Sequence, residues 1–257
     1  MIKLDIPNPF NAPVYHEEIV SSTMDTLKLL AGEGAPHGTV IIADYQENGR
    51  GRGNNRSWEM EKGVNLPFSI LLRYESVEVI PAALTLRTGL IVSLAIEDFV
   101  PSLQDKVKVK WPNDIIINSK KTAGILCEAD DGNVFLGVGI NVAQKKFPEH
   151  LRQKATSIAL EINDVQMIES KEKYTLLEKI LLRLYNELEN PSNKNWIINL
   201  KQRLFMLNEK IIFIDGAVDS GKEIKGQLIG IGDNGELLIL PEGDSEIKSF
   251  VTGEVKF

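Results

Sequence analysis

Cysteine and histidine are scarce in this chain of 257 residues: one cysteine, Cys127, and three histidines, His16, His37 and His150. A lone cysteine excludes an intramolecular disulfide. Set in the apolar run Ile125-Leu126-Cys127, it reads as packing in a reducing compartment, the cytoplasm. Histidines so widely separated leave no zinc-ligand spacing. No uninterrupted apolar run is long enough for a membrane span. The longest candidate, Ile80 to Val100, contains Arg87, Glu97 and Asp98 and reads as a buried helix, so no membrane partner is expected. No targeting pattern stands at the N-terminus. A Gly-x-x-x-x-Gly-Lys-Ser/Thr loop is missing, Gly137-x-Gly139 lacks the third glycine of a dinucleotide fingerprint, and no repeat or low-complexity run is found. Positive charge is also in deficit, with a formal net charge of −7. Any basic cluster is therefore informative.

Two such clusters exist. Gln46 to Trp58 packs three arginines and three glycines between an expected strand and a tryptophan. Glycine lets the backbone approach a ligand and aim successive N–H groups into one concavity. Arg50, Arg52 and Arg56 add guanidinium forks that match carboxylate or phosphate oxygens. The second cluster, Lys106 to Lys121, holds five lysines and a single aspartate, Asp114. Val107, Val109 and Trp111 alternate with lysines as in a half-buried strand, Pro112-Asn113-Asp114 punctuates it, and Ile115 to Ile117 resumes it. Asn118-Ser119-Lys120 reads as a turn into a further strand ending near Ala129, which places Lys121 at a strand start. Together the clusters point to an anion site.

Elsewhere, Ser22-Thr-Met-Asp25 is a capping-box pattern opening a helix that stops at Gly32 or Gly34. Tyr174, Leu177, Leu181, Leu184 and Leu188 recur at helical spacing within an expected helix 171–189, and a second helix is expected from Trp196 to Met206. Short β runs then follow at Lys210 to Ile214, Glu223 to Ile231, Glu236 to Leu240 and Ile247 to Val251, separated by Gly, Asp and Asn turns. The expectation is an α+β fold: a catalytic domain over 1–204 built on a mixed, largely antiparallel sheet with helices, then a small β-barrel over 205–257.

Gln46 to Trp58, Lys110-Trp-Pro-Asn-Asp114, Lys121-Thr-Ala-Gly-Ile-Leu126 and Gly137-Val-Gly-Ile-Asn-Val142, with Ser21-Ser-Thr-Met-Asp25 upstream, together resemble the biotin protein ligases in order and spacing. The likeness is strong over roughly 15–145 and more diffuse toward the C-terminus. It implies a class II synthetase-like catalytic fold with an SH3-like C-terminal barrel. It also implies a two-step reaction: ATP activates biotin as biotinyl-5′-adenylate, and a lysine of a biotin carboxyl carrier protein then takes the biotinyl group. ATP brings Mg²⁺, whose protein ligands the sequence does not name. Homodimers through a sheet edge are known in this family. Only about a dozen residues precede the first expected strand, too few for the helix-turn-helix of the repressor members, and residues 208–257 carry ten acidic side chains against five lysines. A nucleic-acid partner is therefore not expected.

By the same resemblance Ser22, Thr23, Gln46, Gly49, Arg50, Gly51, Arg52 and Lys121 hold biotin. Arg50, Arg52, Trp58, Lys110, Asn113, Lys121 and Asn141 face ATP or the adenylate, and Lys121, Arg52 and Asp114 carry the chemistry. Activation joins two anions, so fixed cations are what it needs most; the biotin carboxylate is already ionised and requires no base. Transfer requires the attacking amine to lose a proton. Asp114 could orient or deprotonate that amine, or merely cap the turn after Pro112-Asn113. Trp58 could cover the adenine or pack in the core, Trp111 sits on an apolar strand face and suits packing, and Asn141 could contact the nucleotide or lie in an ordinary buried strand. Among Ser22 and Thr23, one hydroxyl could cap the helix while the other binds ligand. The chain departs from the family pattern at Met24, where asparagine is usual, at Gly53 to Arg56, one residue longer than the common loop, and at Glu59-Met-Glu-Lys62. Lipoate attachment by the same chemistry, or a non-catalytic biotin-binding module, are the rival readings.

Overall fold

Alternating apolar residues build most of the strands, and the two parities of each strand feed different layers. The computed structural model describes residues 1–53, 56–162, 172–191, 193–216 and 221–256. Its main sheet has eight strands in the order β1-β2-β3-β4-β8-β7-β6-β5. These are β1 (Ile2–Leu4), β2 (Val14–Val20), β3 (Val40–Gln46), β4 (Leu66–Arg73), β5 (Lys108–Lys110), β6 (Asp114–Ile117), β7 (Lys120–Asp130) and β8 (Asn133–Ile140). Only β2 and β3 pair in parallel; the other neighbours are antiparallel. The mixed, largely antiparallel sheet is as expected. Strand β1, which periodicity did not single out, pairs with β2 ahead of the first strand expected. Asn118 and Ser119 both take positive φ in the β6–β7 turn, as do Asp131 and Gly132 in the β7–β8 turn. Short polar residues and glycine tolerate that geometry, which suits the twist of tight hairpins.

Val40, Ile42, Leu66, Phe68, Ile70, Leu72, Val134, Leu136, Val138 and Ile140 point into one large core. It is roofed by α2 (Leu84–Phe99), α4 (Lys173–Glu189) and α5 (Asn195–Arg203). Ile41, Leu71 and Phe135, of opposite parity, pack with Met24 and Leu27 of α1 (Thr23–Gly32) on the other face. Arg87 and Glu97, the charges that interrupt the long apolar run, are buried but paired: Arg87 with Glu187, and Glu97 with Arg203 of α5. A single helical turn, α3 (Ile158–Glu161), follows the main sheet, and its start is capped by Ser157 Oγ accepting from the Leu160 N–H. The expected helix from 171 begins at Lys173; residue 171 lies outside the described residues. The helix expected from Trp196 to Met206 spans Asn195–Arg203.

A second, five-stranded antiparallel sheet is formed by β9 (Lys210–Asp215), β10 (Lys222–Ile231), β11 (Leu237–Pro241), β12 (Lys248–Phe250) and β13 (Gly253–Lys256), in the order β12-β11-β10-β9-β13. Four of these strands match the expected β runs. The sequence reading missed β13, whose pairing with β9 is long-range. Phe213, Leu228, Leu237, Ile239 and Val255 join the same continuous core as the main sheet. Among the described residues no helix is long and apolar enough to cross a membrane.

Candidate active site

The helix α1 face of the sheet is not fully carpeted with side chains. On β7 and β8 the residues of that parity include Gly124, Gly137 and Gly139, and Gly124 and Gly139 are direct cross-strand partners. A Cβ at Gly139 would lie 2.8 Å from Trp58 Cε2, and one at Gly124 would lie 3.2 Å from Lys121 Nζ. A Cβ at Gly137 would meet Met24 Sδ at 2.8 Å. The bare patch therefore makes room for Trp58, Lys121 and Met24, and accounts for a methionine at position 24. Above it lies a cavity of about 330 Å³.

The two basic clusters meet there. Arg50, Gly51, Arg52, Arg56 and Trp58 line the cavity from one stretch, and Lys110, Asn113, Asp114 and Lys121 from the other. Lys121 Nζ lies 2.6 Å from Asp114 Oδ1 and 5.6 Å from the Trp58 ring centroid. Asp114 thus directs its carboxylate at Lys121, which the turn-cap reading did not foresee. Lys110 is buried, and that burial pushes its ammonium below the ordinary lysine range against the opposing pull of Asp114 and Glu254. Burial likewise lowers Arg52, again opposed by Glu254 and Asp114. A guanidinium so displaced still remains charged at physiological pH.

The loop arginines are engaged by the protein itself. Arg52 donates from both terminal nitrogens to the Gly253 carbonyl at 3.2 Å, and Arg56 to Glu254 Oε2 at 2.6 Å, so strand β13 holds the loop from the second sheet. Arg50 pairs with Asp25 at 2.9 Å and faces Glu128 at 3.6 Å. Asn54 and Asn55, within the lengthened stretch, lie outside the described residues.

At the other end of the cavity Gln46 Oε1 accepts from the Thr23 backbone N–H at 2.8 Å and the Thr23 hydroxyl at 2.9 Å, and that hydroxyl also meets Ser69 Oγ at 2.8 Å. Ser22 is the N-cap residue of α1, yet its side chain makes no capping hydrogen bond. The expected capping box is therefore not formed: Thr23 is committed to Gln46 and Ser69, and Ser22 lines the cavity.

Two expected site residues stand elsewhere. Asn141 is buried, donates from Nδ2 to the Thr156 carbonyl at 3.0 Å and does not line the cavity. Its backbone N–H also bonds the Thr122 carbonyl, so it fastens the chain beside Lys121. Gly49 does not line the cavity either; it lies behind the loop, where a Cβ would sit 2.9 Å from the Trp58 carbonyl oxygen and 3.2 Å from Gln46 Nε2. Trp111 is buried, donates from Nε1 to the Gly235 carbonyl at 3.0 Å and packs on Phe213, as its strand face suggested. Asn113 Nδ2 donates to the Ile125 carbonyl at 2.8 Å, locking the turn that presents Asp114.

Sequence reading missed Glu254, His150 and Leu151 of the cavity wall. His150 Nε2 lies 2.9 Å from Glu59, one residue beyond Trp58. Trp58 Nε1 is buried with no hydrogen-bond partner. The cavity combines apolar walls from Met24, Phe68, Leu126 and Val138 with the polar Thr23 and Gln46, fixed cations and a carboxylate, which suits an organic acid brought against a phosphate. Among the described residues no group of three or more His, Cys, Asp or Glu is placed to hold a metal ion.

Comparison with known proteins agrees with this geometry. The model of the biotin/lipoate A/B protein ligase family matches residues 17–144. The bifunctional ligase/repressor BirA of Bacillus subtilis is 40% identical over 153 residues, covering 57% of this chain and 46% of the relative. The chain thus matches about half the length of that relative. BirA of Salmonella typhimurium is 30% identical over 246 residues, covering 92% of this chain and 72% of the relative. A biotin protein ligase from Aquifex aeolicus, solved in complex with biotin and ATP, superposes with a TM-score of 0.77 at 30% identity, covering 95% of this chain and 97% of that one. On its sequence and its fold, the chain belongs to the biotin protein ligases.

Proposed function

We propose that the chain is an ATP-dependent ligase that forms biotinyl-5′-adenylate and transfers biotin to a lysine of a biotin carboxyl carrier protein. The observation that carries this reading is the convergence of Arg52 and Lys121, from distant stretches of sequence, on one cavity that also holds Trp58. The Aquifex aeolicus relative in complex with biotin and ATP supports the choice of substrates.

In the first step a biotin carboxylate oxygen attacks the α-phosphorus of ATP and pyrophosphate leaves. Ser22, Thr23 and Gln46 suit the polar head of biotin. Lys121, with Arg52 and Lys110, lies where negative charge concentrates and offsets the repulsion between the two anions. Their partial burial keeps water from screening that attraction. In the second step the carrier amine attacks the acyl carbon, AMP leaves, and the amine gives up a proton. Asp114, already hydrogen-bonding distance from Lys121, is placed to orient the incoming amine or accept that proton. Of the cavity carboxylates, Asp114 faces Lys121, Glu254 faces Arg56 and Glu59 faces His150, and among the described residues no group of three or more His, Cys, Asp or Glu is placed to hold a metal ion; the ion would arrive as part of the nucleotide substrate, and no step is assigned to it. Cys127, whose thiol burial pushes up to about 11, has no place in this chemistry and fits a cytoplasmic setting.

Exchange of labelled pyrophosphate into ATP, with biotin and lipoate side by side, tests the reading. Biotin-dependent exchange is expected, followed by labelling of a carrier domain. Exchange driven by lipoate alone would transfer the proposal to lipoate attachment, and biotin binding indifferent to ATP would mark a non-catalytic module.

A further inference from the structure

A second cavity, of about 260 Å³, shares no residue with the active site. His37, in its wall, precedes β3, whereas Gln46 of the active site ends that strand, so the two cavities stand roughly 20 Å apart along β3. Phe10 from the β1–β2 connection, His37, Tyr74 just after β4, and Tyr185, Leu188 and Glu189 from the end of α4 line it. The Phe10 ring centroid lies 5.3 Å from that of His37 and 5.2 Å from that of Tyr185, which it meets edge to face. All four aromatic side chains are half-buried, so packing does not consume their whole surface. The backbone holds this wall in place. Asn8 Nδ2 donates to the Ala12 and Gly38 carbonyls, each at 2.9 Å, and Asn8 Oδ1 accepts from the Phe10 N–H at 3.2 Å. A Cβ at Gly38 would sit 2.1 Å from Phe10 Cβ, so the glycine is what lets the ring lie there. The Arg73 N–H donates to His37 Nδ1 at 3.0 Å, which orients the imidazole and leaves its proton on Nε2.

The charge in this wall has one sign. Burial lowers the His37 pKa below the ordinary histidine value, and the neighbouring Arg73 lowers it further against the pull of Glu189, so the imidazole is neutral at physiological pH. The Arg73 guanidinium is itself committed to the Ala31 and Ala35 carbonyls and to Asn133 Oδ1. Glu189 is exposed and makes no ion pair among the described residues, unlike Glu187, which holds Arg87 at 2.6 Å. It is the last residue of α4, whose final turn carries no basic side chain. The carbonyls at a helix C-terminus already concentrate negative potential, so a carboxylate there is unfavourable unless a cation answers it. We propose that this cavity binds an organic cation the size of a small amine, seated against the Phe10 and Tyr185 rings with its charge toward Glu189. The faces of aromatic rings attract an ammonium or guanidinium group electrostatically, and the rings with Leu188 cover its methyl or methylene carbons. An anion is the less suitable occupant, because Glu189 and the end of α4 both repel it. The inference goes beyond the ligase reading and does not depend on it.

Choline is the probe, titrated into the full chain and followed by nuclear magnetic resonance, with its uncharged tert-butyl isostere, in which carbon replaces nitrogen, as the control. Saturable choline binding is expected, with the isostere about ten-fold weaker. Phe10→Leu and Tyr185→Leu keep an apolar side chain but remove the ring, and each should weaken choline about five-fold. Glu189→Gln should weaken it about three-fold at low ionic strength, a difference that fades as sodium chloride is added. Circular dichroism melts report whether each variant is folded, and the exposed Glu189 keeps the test available if a ring variant is not. Competition by the blocked amides N-acetyl-lysine methylamide and N-acetyl-arginine methylamide identifies the source of the cation. Tighter binding of either than of choline assigns the cavity to a basic side chain of a partner protein, and preference for choline assigns it to a free amine; both sustain the cation site. Absence of saturable binding by choline and both amides overturns the proposal. Equal binding of choline and its isostere, or choline binding unaltered in every folded variant, overturns it as well.

Discussion

At the scale of single residues, the site depends on where side chains are missing as much as on where they are charged. Replacing Lys121 by alanine removes the cation nearest Asp114 and leaves that carboxylate facing the reacting anions. Adenylate formation should slow by about 10²–10³-fold with little change in melting temperature, measurable in single-turnover assays of AMP formation. Gly139→Ala tests the opposite kind of requirement: its methyl group would stand 2.8 Å from the Trp58 indole and push it off the sheet. A several-fold rise in KM for ATP is expected; an unchanged KM would show that the nucleotide does not use the indole's present place. Lys121 is legible in the sequence because charge, turn and strand start coincide within a few residues. Glu254 is not, because nothing local distinguishes one more carboxylate in an acidic segment until β13 brings it to Arg56. Asn141 stands between two readings in the sequence for a related reason. Its position in the motif is fixed, but a buried amide serves a neighbouring carbonyl as readily as a ligand, and here it serves Thr156.

At the scale of elements, the joint between β3 and α4 is the most exacting. Lys173, 4% exposed at its side chain, places Nζ 2.9 Å from Asp44 and 3.1 Å from the Gly63 carbonyl. His16 Nε2 approaches the other Asp44 oxygen at 3.2 Å. Burial alone would raise Asp44, but the hydrogen bond and charge of Lys173, with His16, outweigh it and hold the carboxyl below the usual aspartate range. A depressed carboxyl pKa means the folded state holds its proton less tightly than the unfolded chain. The stabilisation is therefore complete above the unfolded value near 3.9 and fades as the pH falls through the lower folded one. Asp44→Asn should cost about 3 kcal/mol at neutral pH, because it strands Lys173 in the interior, and the gap from the parent should narrow in acid. Urea titrations at neutral pH and near pH 3 measure both. The strands and helices here follow from two- and 3.6-residue periodicity, and the hairpin turns from Asn-Ser and Asp-Gly. The ion pair does not, since Asp44 and Lys173 sit in segments that only tertiary packing joins.

At the scale of the whole molecule, two sheets share one core. The proposed division into 1–204 and 205–257 is one of topology, whereas Trp111 on Gly235 and the shared apolar cluster make the halves interdependent. A single calorimetric transition is expected; two resolved endotherms would mean that the barrel melts by itself. The ligand loop is fastened across this boundary through Arg52 and Arg56, so loosening the second sheet should be felt at the adenylate before the first sheet melts. The glycine pair on β7 and β8 has its own consequence. Those strands are left like a floor with two tiles unlaid, which the Trp58 indole and the Lys121 ammonium cover, and an organic guest of the right outline comes to rest on that paving. Substrate should then behave as a late-arriving piece of the protein interior, and heat resistance should climb with its concentration by mass action.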